Sequence, residues 1–390
     1  MDLRTFKMGM EPSERVSERM KRIAKELDLD LSSLTADPVK IGDADEKNCE
    51  NMFGHVAIPI GHAGPLHWTL STGEKINAYL PIATTEGALV ASISRGCKAL
   101  SEAGNITTRL IYHGTTRSLA FRILDSSADV ATELQKMEPQ WRAAGEGTSG
   151  HLKILRTGID ELDGHIFLTI ACDTDEAMGM NMVTVAAEAI GTWIAEHLPV
   201  EFITIAANVD SDKKPSKRTH DQGRGHEVIA EGILPRKIIE EVLKTTPEQM
   251  LKVGQAKLVI GSSIAGAIGK NLHIANVIAA LYLATGQDAA HVVEGSLGDT
   301  TVLPDKDGLH VMARLPAILV GIRGGGTNLP AQSTALKIIL KEECSLHPRQ
   351  QLAETIGAAV LAGEMSLLAA QAAHDLAMAH VKLARSVARQ

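Results

Sequence analysis

The chain of 390 residues has few cysteines and few aromatic side chains. Its four cysteines, Cys49, Cys97, Cys172 and Cys344, are widely spaced and include no CxxC pair, so we expect neither a disulfide framework nor a bound metal. Phe, Trp and Tyr together make up 3% of the residues, whereas glycine occurs 34 times. This composition favours closely packed helices and pockets that are lined by backbone.

The sequence also lacks the signals of export and membrane insertion. No charged, apolar and cleavage regions open the chain, and we find no apolar run that approaches the ~20 residues of a membrane span. The longest candidate, "IANVIAALYLATG" at 274–286, is too short. The formal net charge of −8 argues against a nucleic-acid surface. We therefore expect a cytoplasmic protein whose partners include neither nucleic acid nor a membrane.

Hydrophobic patterns predict an α+β fold in three parts. Apolar residues at helical spacing predict an amphipathic helix over 13–29, within an N-terminal helical segment of residues 1–43. From 119 to 205 the predicted order is strand, helix, strand, strand, helix, strand, with the first helix over about 127–143, which is the order of a ferredoxin-like split βαβ unit. We interpret this stretch as a small inserted domain. Residues 44–118 and 206–390 then form a large helix-rich domain, with helices predicted over 271–285 and about 363–384.

Three charged positions are not explained by packing alone. Glu86 in "ATTEG" precedes an apolar helical run, and for this residue taken alone a solvated helix start is the first explanation. Lys213 in "SDKKPSK" lies on a predicted loop, because Pro215 biases the residue before it away from helix. Asp288 in "ATGQDAAH" stands beyond Gly286, and ending a helix requires the glycine but not the aspartate.

Other motifs are weaker when taken singly. "DEAMGMNM" at 175–182 and "GIRGGGTNLP" at 321–330 offer backbone amides to an anion, but neither is a dinucleotide fingerprint. His374 and His380 fall on different faces of one predicted helix, and a single histidine is more often structural than catalytic. The sequence contains no GxSxG and no HExxH, which excludes the common hydrolase signatures.

Taken together, the motifs resemble one family. "ENMFGHVAIPIGHAGPL", "ATTEG", "DEAMGMNM", "DKKP", "GQDAA" and "GGGTNLP" are spread from Glu50 nearly to the C-terminus, and as a set they closely resemble 3-hydroxy-3-methylglutaryl-coenzyme A (HMG-CoA) reductase. The form "ATTEG" and the late histidine resemble the class I branch in its soluble archaeal or bacterial version. The resemblance implies two hydride reductions that convert HMG-CoA to mevalonate and free coenzyme A in isoprenoid biosynthesis. It implies NADPH as cofactor, with NADH left open.

The resemblance also implies four catalytic residues: Glu86, Lys213, Asp288 and His380. A fixed ammonium such as Lys213 stabilises the oxyanion that develops at the substrate carbonyl. Glu86 would hydrogen-bond the same oxygen and deliver a proton, and His380 would protonate the departing thiolate.

Binding residues follow from the same resemblance. The substrate is expected to contact Arg117, Asp212, Lys214, Lys257 and Asn276, and the coenzyme A part to lie near Ser92 and Arg95. The cofactor is expected to contact Asp175, Glu176, Ala177, Met178, Gly179, Met180, Asn181, Gly324, Gly325 and Gly326. The family further implies a homodimer with active sites at the subunit interface, to which "ENMFG" contributes.

Some positions depart from the family pattern. Ala206 replaces a usual serine, His226 a lysine, Arg323 an apolar residue and Glu176 an aspartate. A Ser-Arg element that class I enzymes use near the 2′-phosphate of NADPH has no clear counterpart, although His151, Lys153 or Arg156 are candidates to compensate. Two alternatives remain open at this point: the same reaction run oxidatively with NAD⁺, and a non-catalytic protein that binds coenzyme A or a nucleotide. Arg323 is either a new phosphate contact or a member of a surface ion pair.

Overall fold

The structure is a computed structural model that describes residues 2–125 and 127–373. His374 and His380 therefore lie outside the described residues, and the catalytic role of His380 stays a prediction.

The described residues form helices, strands and short helical turns in a mixed order. The helices are α1 Pro12–Leu27, α2 Pro38–Ile41, α3 Ala44–Lys47, α4 Leu89–Ala103, α5 Val130–Lys136, α6 Glu138–Glu146, α7 Met180–His197, α8 Lys217–Gln222, α9 Arg236–Glu241, α10 Pro247–Gly254, α11 Ser262–Ala265, α12 Ile274–Thr285, α13 Val292–Gly295, α14 Pro330–Ile339 and α15 Pro348–Ala372. The strands are β1 Ile60–Thr69, β2 Lys75–Ala83, β3 Thr107–Ile123, β4 Lys153–Leu162, β5 His165–Asp173, β6 Val200–Thr204, β7 Gly225–Pro235, β8 Asp299–Asp305 and β9 Gly308–Ile318. Short 3₁₀ turns cover Ser32–Leu34, Ala289–His291 and Gly325–Asn328, and Gln255–Gly261 is π-helical.

The long strand β3 connects two groups of strands. Its first half pairs with β7 in the order β2-β1-β3-β7-β9-β8, and its second half pairs with β5 and β6 in the order β4-β5-β3-β6. The register shifts between Tyr112 and Gly114, where one group gives way to the other. The domain boundary predicted at 118/119 thus falls inside a continuous strand, because one strand serves both parts.

The second group of strands has its own core. Leu119, Phe121, Trp141 and Ile190 are buried there, between the strands and helices α6 and α7. The single helix predicted over about 127–143 is two helices, α5 and α6, and the prediction was wrong on this point. Pro139 lies in the first turn of α6, as expected of a residue that cannot donate a backbone hydrogen bond.

Helix α15 is the central helix of the large core. It starts at Pro348, well before the predicted start near residue 363, and by length and composition it is apolar enough to cross a membrane. The expectation that 274–286 is the longest apolar stretch was therefore wrong. However, 94% of its most apolar window is buried inside the protein. Its buried carboxylates are also partnered: Glu354 accepts from the backbone amide of Ser71, and Glu364 accepts from the amides of Leu272 and His273. The surrounding protein therefore buries this helix as a core element.

Candidate active site

A cleft of about 810 Å³ lies where the start of α7, the end of α12 and the glycine-rich loop before α14 meet. Its walls contain two of the predicted catalytic residues, Lys213 and Asp288, and many of the residues predicted to bind substrate or cofactor. They are Arg117, Asp212, Lys213, Asp288, Ala177, Met178, Gly179, Met180, Asn181, Gly324, Gly325 and Gly326.

Lys213 and Asp288 form an ion pair in this cleft. The Nζ of Lys213 lies 2.7 Å from Oδ2 of Asp288, with the two side chains 40% and 34% exposed. Burial raises the pKa of Asp288, but the hydrogen bond from Lys213 and the amide of Ala290 outweigh it, so that the pKa lies below its usual value. The cleft therefore holds a carboxylate that fixes the position of an ammonium group.

The loop that carries Lys213 is held from its backbone. Lys213 has φ 59°, in the left-handed region, and its amide donates to Oε1 of Glu294 at 3.1 Å. Ser211 in the same loop also has a positive φ, of 52°. The prediction that Lys213 lies on a loop is confirmed, and the contact with Glu294 offsets the cost of an unfavourable backbone conformation.

A buried arginine links the carboxylates below the cleft. Arg224 donates to Oε1 of Glu294 at 2.6 Å, and its Nη2 lies 3.0 Å from Oδ1 of Asp212. The other oxygen of Asp212 accepts from Arg117 at 3.2 Å. Burial raises the pKa of Asp212, but the positive charge of Arg224 and its neighbours lowers it by more. The pKa of Asp212 therefore lies below its usual value. The predicted substrate residues Arg117 and Asp212 are thus already paired with each other.

His291 completes this network. Its ring is fully buried, with Nδ1 at 2.9 Å from Oε1 of Glu294 and Nε2 at 3.7 Å from Oδ2 of Asp288. Asp212, His291 and Glu294 offer ligand atoms within 4.8 Å of one another, as a metal site would. In this protein the guanidinium of Arg224 bonds to the two carboxylates and supplies positive charge there.

Sequence reasoning missed Arg224, His291 and Glu294. A signal was available for two of them, because His291 and Glu294 are three residues apart directly after "GQDAA", and this spacing brings side chains together on a helical turn. Arg224 is a single arginine between two glycines, and no periodicity marks it as buried.

The two glycine-rich stretches lie against each other. Ala177 and Arg323 form a parallel bridge, and the amide of Ile322 donates to the carbonyl of Glu176 at 2.9 Å. A Cβ on Gly321 would lie 2.3 Å from the nitrogen of Met178, so only glycine allows this approach. The side chains of Arg323 and Glu176 form an ion pair at the surface. The predicted cofactor residues at 175–181 are therefore joined to the loop that carries the predicted cofactor glycines at 324–326.

The loop that carries Asp288 joins the same arrangement. A Cβ on Gly286 would lie 2.3 Å from the carbonyl oxygen of Gly326, and Gly286 has φ 70°. The amide of Gly321 donates to Oε1 of Gln287 at 2.9 Å. Asp288 is consequently held at a fixed position relative to the predicted cofactor loop.

Glu86 lies in a separate, smaller cavity. This cavity of about 230 Å³ is lined by Ile58, Thr84, Asn276 and other residues, and it shares Leu283 with the large cleft. Glu86 is exposed and precedes α4, which starts at Leu89. Within residues 2–125 and 127–373, Glu86 forms no ion pair with Lys213. The structure thus brings Glu86 to Asn276 but not to the pair of Lys213 and Asp288.

The remaining predicted substrate residues lie outside both cavities. Ser92 and Arg95 on α4 contact Ser366 of α15, with 3.0 Å between the two serine hydroxyls. The Nζ of Lys257 lies 3.3 Å from Oε1 of Gln371, near the end of α15. Lys214 is exposed and donates to the carbonyl of Asp212 at 3.0 Å.

The residues that depart from the family pattern have distinct surroundings. Ala206 is exposed beyond β6. His226 is buried in β7, and burial lowers its pKa to about 3, so it is a neutral core residue where the family has a lysine. His151 is exposed, and its Nδ1 lies 2.9 Å from Oδ2 of Asp175, beside the predicted cofactor loop. Arg156 instead donates to the carbonyl of His113 at 3.3 Å.

Comparison with known proteins decides the family. The family model of hydroxymethylglutaryl-coenzyme A reductase matches residues 15–385. The chain belongs to the HMG-CoA reductase family. It is 40% identical over 378 residues to the 3-hydroxy-3-methylglutaryl-coenzyme A reductase of Pyrococcus horikoshii, with 94% of this chain and 91% of the relative covered. It is also 40% identical over 342 residues to the enzyme of that name from Halobacterium salinarum, with 86% and 84% covered.

The fold of the HMG-CoA reductase family is found in solved structures as well. The class II enzyme of Streptococcus pneumoniae bound to NADPH matches with a TM-score of 0.68 and 18% identity, over 91% of this chain and 96% of that one. At this identity the match shows the fold alone. The names of the relatives agree with the predicted family, and none of them favours a protein that only binds coenzyme A.

Proposed function

We propose that this protein is an HMG-CoA reductase, which reduces HMG-CoA to mevalonate and coenzyme A with NADPH in isoprenoid biosynthesis. The observation that carries this proposal is the ion pair of Lys213 and Asp288 in a cleft that also holds the two glycine-rich loops. An ammonium group, a carboxylate and open backbone amides in one cleft suit the reduction of a carbonyl group, because negative charge develops on its oxygen.

The roles of the side chains follow from their contacts. The Nζ of Lys213 lies 2.7 Å from Oδ2 of Asp288, and the backbone amide of Lys213 donates to Glu294. These two contacts position the ammonium group for the developing oxyanion before substrate binds. Glu86, exposed beside Asn276, is the proposed proton donor to the same oxygen. A bound nicotinamide would supply the hydride for each of the two reductions.

The residues at the cleft fit a nicotinamide cofactor. Gly324 and Gly325 both have positive φ and nothing within 4 Å of an added Cβ, which leaves open space above their backbone. The cleft volume of about 810 Å³ lies within the usual range for small-molecule sites, ~300–1,000 Å³. Residues 119–205, which carry their own core, are proposed as a ferredoxin-like cofactor domain. His151, exposed beside Asp175, is the proposed contact of the NADPH 2′-phosphate.

We further propose a homodimer in which each active site is shared between two subunits. Two half-sites support this: one holds Lys213 and Asp288, and the other holds Glu86 and Asn276. Exposed apolar side chains flank the second half-site in sequence: Ile58 lines its cavity, and Val56 and Ile60, two residues to either side, are 78% and 59% exposed. Exposed apolar groups of this kind mark an interaction surface.

The cysteines support the predicted location in a reducing cytoplasm. Cys49, Cys97, Cys172 and Cys344 are free thiols in the described part of the chain, and Cys97 and Cys172 are buried. Protein thiols are kept reduced in that compartment.

The proposal is tested by following nicotinamide absorbance with purified protein and HMG-CoA, with NADPH and NADH compared at equal concentrations. We expect turnover that releases free thiol and prefers NADPH. An H151A variant should lose the preference for NADPH while turnover with NADH is retained. Absence of turnover with both cofactors, in a protein whose unfolding is cooperative, would contradict the proposed function.

A further inference from the structure

We propose that Arg349 is a positioning residue for the nicotinamide cofactor. It holds the turn of residues 173–178 so that the amides at the start of α7 face the cleft and stay open to the cofactor. This inference rests on the proposed function and concerns a residue of α15 that is far from this turn in sequence.

Arg349 lies buried in the first turn of α15. Pro348 opens the helix, and the side chain of His347 caps it by accepting from the amide of Arg349 at 3.3 Å. The side chain of Arg349 is 6% exposed and is not part of the cleft wall, so it would act through the residues that it contacts. A buried guanidinium needs such partners, because an unpaired charge is costly in the interior.

The guanidinium bonds to the turn 173–178 at three points. Its Nη2 lies 3.0 Å from Oδ1 of Asp173. Its Nη1 donates to the carbonyl of Ala177 at 3.1 Å and to Oγ1 of Thr174 at 3.3 Å. The ring of Tyr112 packs against the planar group, with 4.6 Å between Cζ and the ring centroid. Arg349 therefore fastens the beginning and the end of the turn to α15.

The backbone of this turn needs support from its surroundings. Asp175 has φ 56°, in the left-handed region, and Gly179, which directly precedes α7, has φ 89°. A Cβ on Gly179 would lie 2.3 Å from the side chain of Thr174, so the chain folds tightly onto this threonine. A left-handed residue other than glycine costs energy that neighbouring contacts must offset. Arg349 supplies three of these contacts.

The turn leads into the N-terminus of α7, which lies in the cleft. Residues 180–182 line the cleft, and no side chain among the described residues caps this end of the helix. The first amides of a helix have no acceptor within the helix, and together with the macrodipole they favour an anion such as the diphosphate of a nicotinamide cofactor. The carbonyl of Ala177 is bonded to Arg349 and to Thr174, so it does not compete for these amides.

The first test compares the steady-state kinetics of Arg349→Gln and Arg349→Lys with those of wild type. Glutamine cannot hold both ends of the turn, so we expect KM for NADPH and for NADH to rise alike, by about tenfold. Lysine keeps the charge but not the planar fork, and KM should rise about threefold. In both variants kcat at saturating cofactor and KM for HMG-CoA should stay within about twofold of wild type, because Lys213 and Asp288 are held by other contacts.

Arg142→Gln is the matched control. Arg142 likewise donates to a backbone carbonyl, that of Ile154, and bonds to a carboxylate, that of Glu138, but these contacts lie within α6 and β4. This variant should lose stability in urea unfolding, while KM for each cofactor stays within about twofold of wild type. Equal rises of KM in R349Q and R142Q would mean that loss of either arginine loosens the protein generally, and the inference would be wrong.

A binding test does not depend on turnover. Titration of NADPH fluorescence without HMG-CoA measures the dissociation constant, which should rise about tenfold in R349Q. Asp173→Asn weakens one of the three contacts at a position that is 43% exposed, and there we expect a rise of about threefold even if R349Q does not fold. An unchanged dissociation constant in either variant that folds would overturn the inference, and so would a wild type that binds neither cofactor. A wild type that binds NADPH but does not reduce HMG-CoA would contradict the proposed function alone.

Discussion

The side chains of Glu176 and Arg323 form an ion pair between the two glycine-rich loops of the cleft. Each residue departs from the family pattern, and the structure shows that the two departures are partners. The backbone beside them is also joined, through the bridge of Ala177 with Arg323. The alternative that Arg323 belongs to a surface ion pair is therefore confirmed.

This pairing predicts the behaviour of Arg323→Ala. Because the guanidinium braces the loops, its loss should raise KM for NADPH and for NADH by the same factor, about two- to fivefold for an exposed ion pair. Glu176→Ala should have the same effect, and the double variant should be no worse than either single one. Steady-state kinetics with the two cofactors measure all three. A rise for NADPH alone in R323A would show instead that Arg323 binds the 2′-phosphate.

Removal of the ammonium group tests the oxyanion role. Lys213→Ala should lower kcat about 10²- to 10³-fold, the loss typical of one oxyanion donor, for HMG-CoA and for free mevaldehyde alike. Lys217→Ala is the matched control, since Lys217 follows four residues later and, among the residues that the structure describes, forms an ion pair only with Asp221 at the surface. Its kcat should stay within about twofold of wild type. Normal reduction of the thioester by K213A would rule out the assignment.

The two half-sites make a sharper prediction about the dimer. Glu86→Gln and Asp288→Asn should each be nearly inactive as homodimers. If Glu86 and Asp288 of one site come from different subunits, a mixed dimer has one site with both changes and one with neither. Co-expression with two purification tags should then restore about half of the wild-type activity per mixed dimer. A mixed dimer as inactive as its parents would place both residues in the same subunit's site.

The interior of the protein predicts a specific loss of stability in acid. Burial lowers the pKa of His226 to about 3, whereas an unfolded histidine titrates near 6.5. Below about pH 6.5 the unfolded chain therefore binds a proton at this histidine that the folded chain does not bind. The contribution of His226 to the free energy of unfolding is fully present above about pH 6.5 and is lost as pH falls. The loss is about 2 kcal/mol between pH 6.5 and pH 5. Urea unfolding at several pH values measures the slope of the free energy of unfolding against pH. In His226→Asn this slope should be smaller, by the amount that corresponds to the uptake of one proton.

How much of this was predictable depends on the range of the contacts. Local patterns predicted α1, α12 and the strands around 119–205, because periodicity and end signals lie within a few residues. They did not reveal that β3 continues through the predicted boundary, since pairing with both β7 and β5 is a long-range property. The start of helix α15 was predicted too late because Glu354 interrupts the apolar pattern before residue 363, and its partner Ser71 is distant in sequence.

In the candidate site, too, the features marked by short motifs were predicted, and those that depend on long-range contacts were not. The motifs that carry Lys213, Asp288 and the glycines were found by resemblance, and the structure brings them into one cleft. The buried network of Arg224, His291 and Glu294 escaped because a buried charged residue looks like a surface residue in sequence.

The close contact of Gly286 with Gly326 gives a final prediction. An added Cβ at Gly286 would lie 2.3 Å from the carbonyl oxygen of Gly326, so Gly286→Ala must displace one of the two loops. Since Asp288 follows two residues later, we expect kcat to fall at least tenfold and KM for the cofactor to rise, as a shift of about 1 Å at a catalytic group is enough for such losses.

Gly266→Ala separates this steric effect from backbone strain. Gly266 has φ 64°, close to the 70° of Gly286, but nothing lies within 4 Å of its added Cβ. Both variants should lose about 1–2 kcal/mol of stability from the left-handed backbone, as measured by urea unfolding. Only G286A should also lose catalytic activity. Equal kinetics for the two variants would mean that the contact with Gly326 does not hold Asp288 in place.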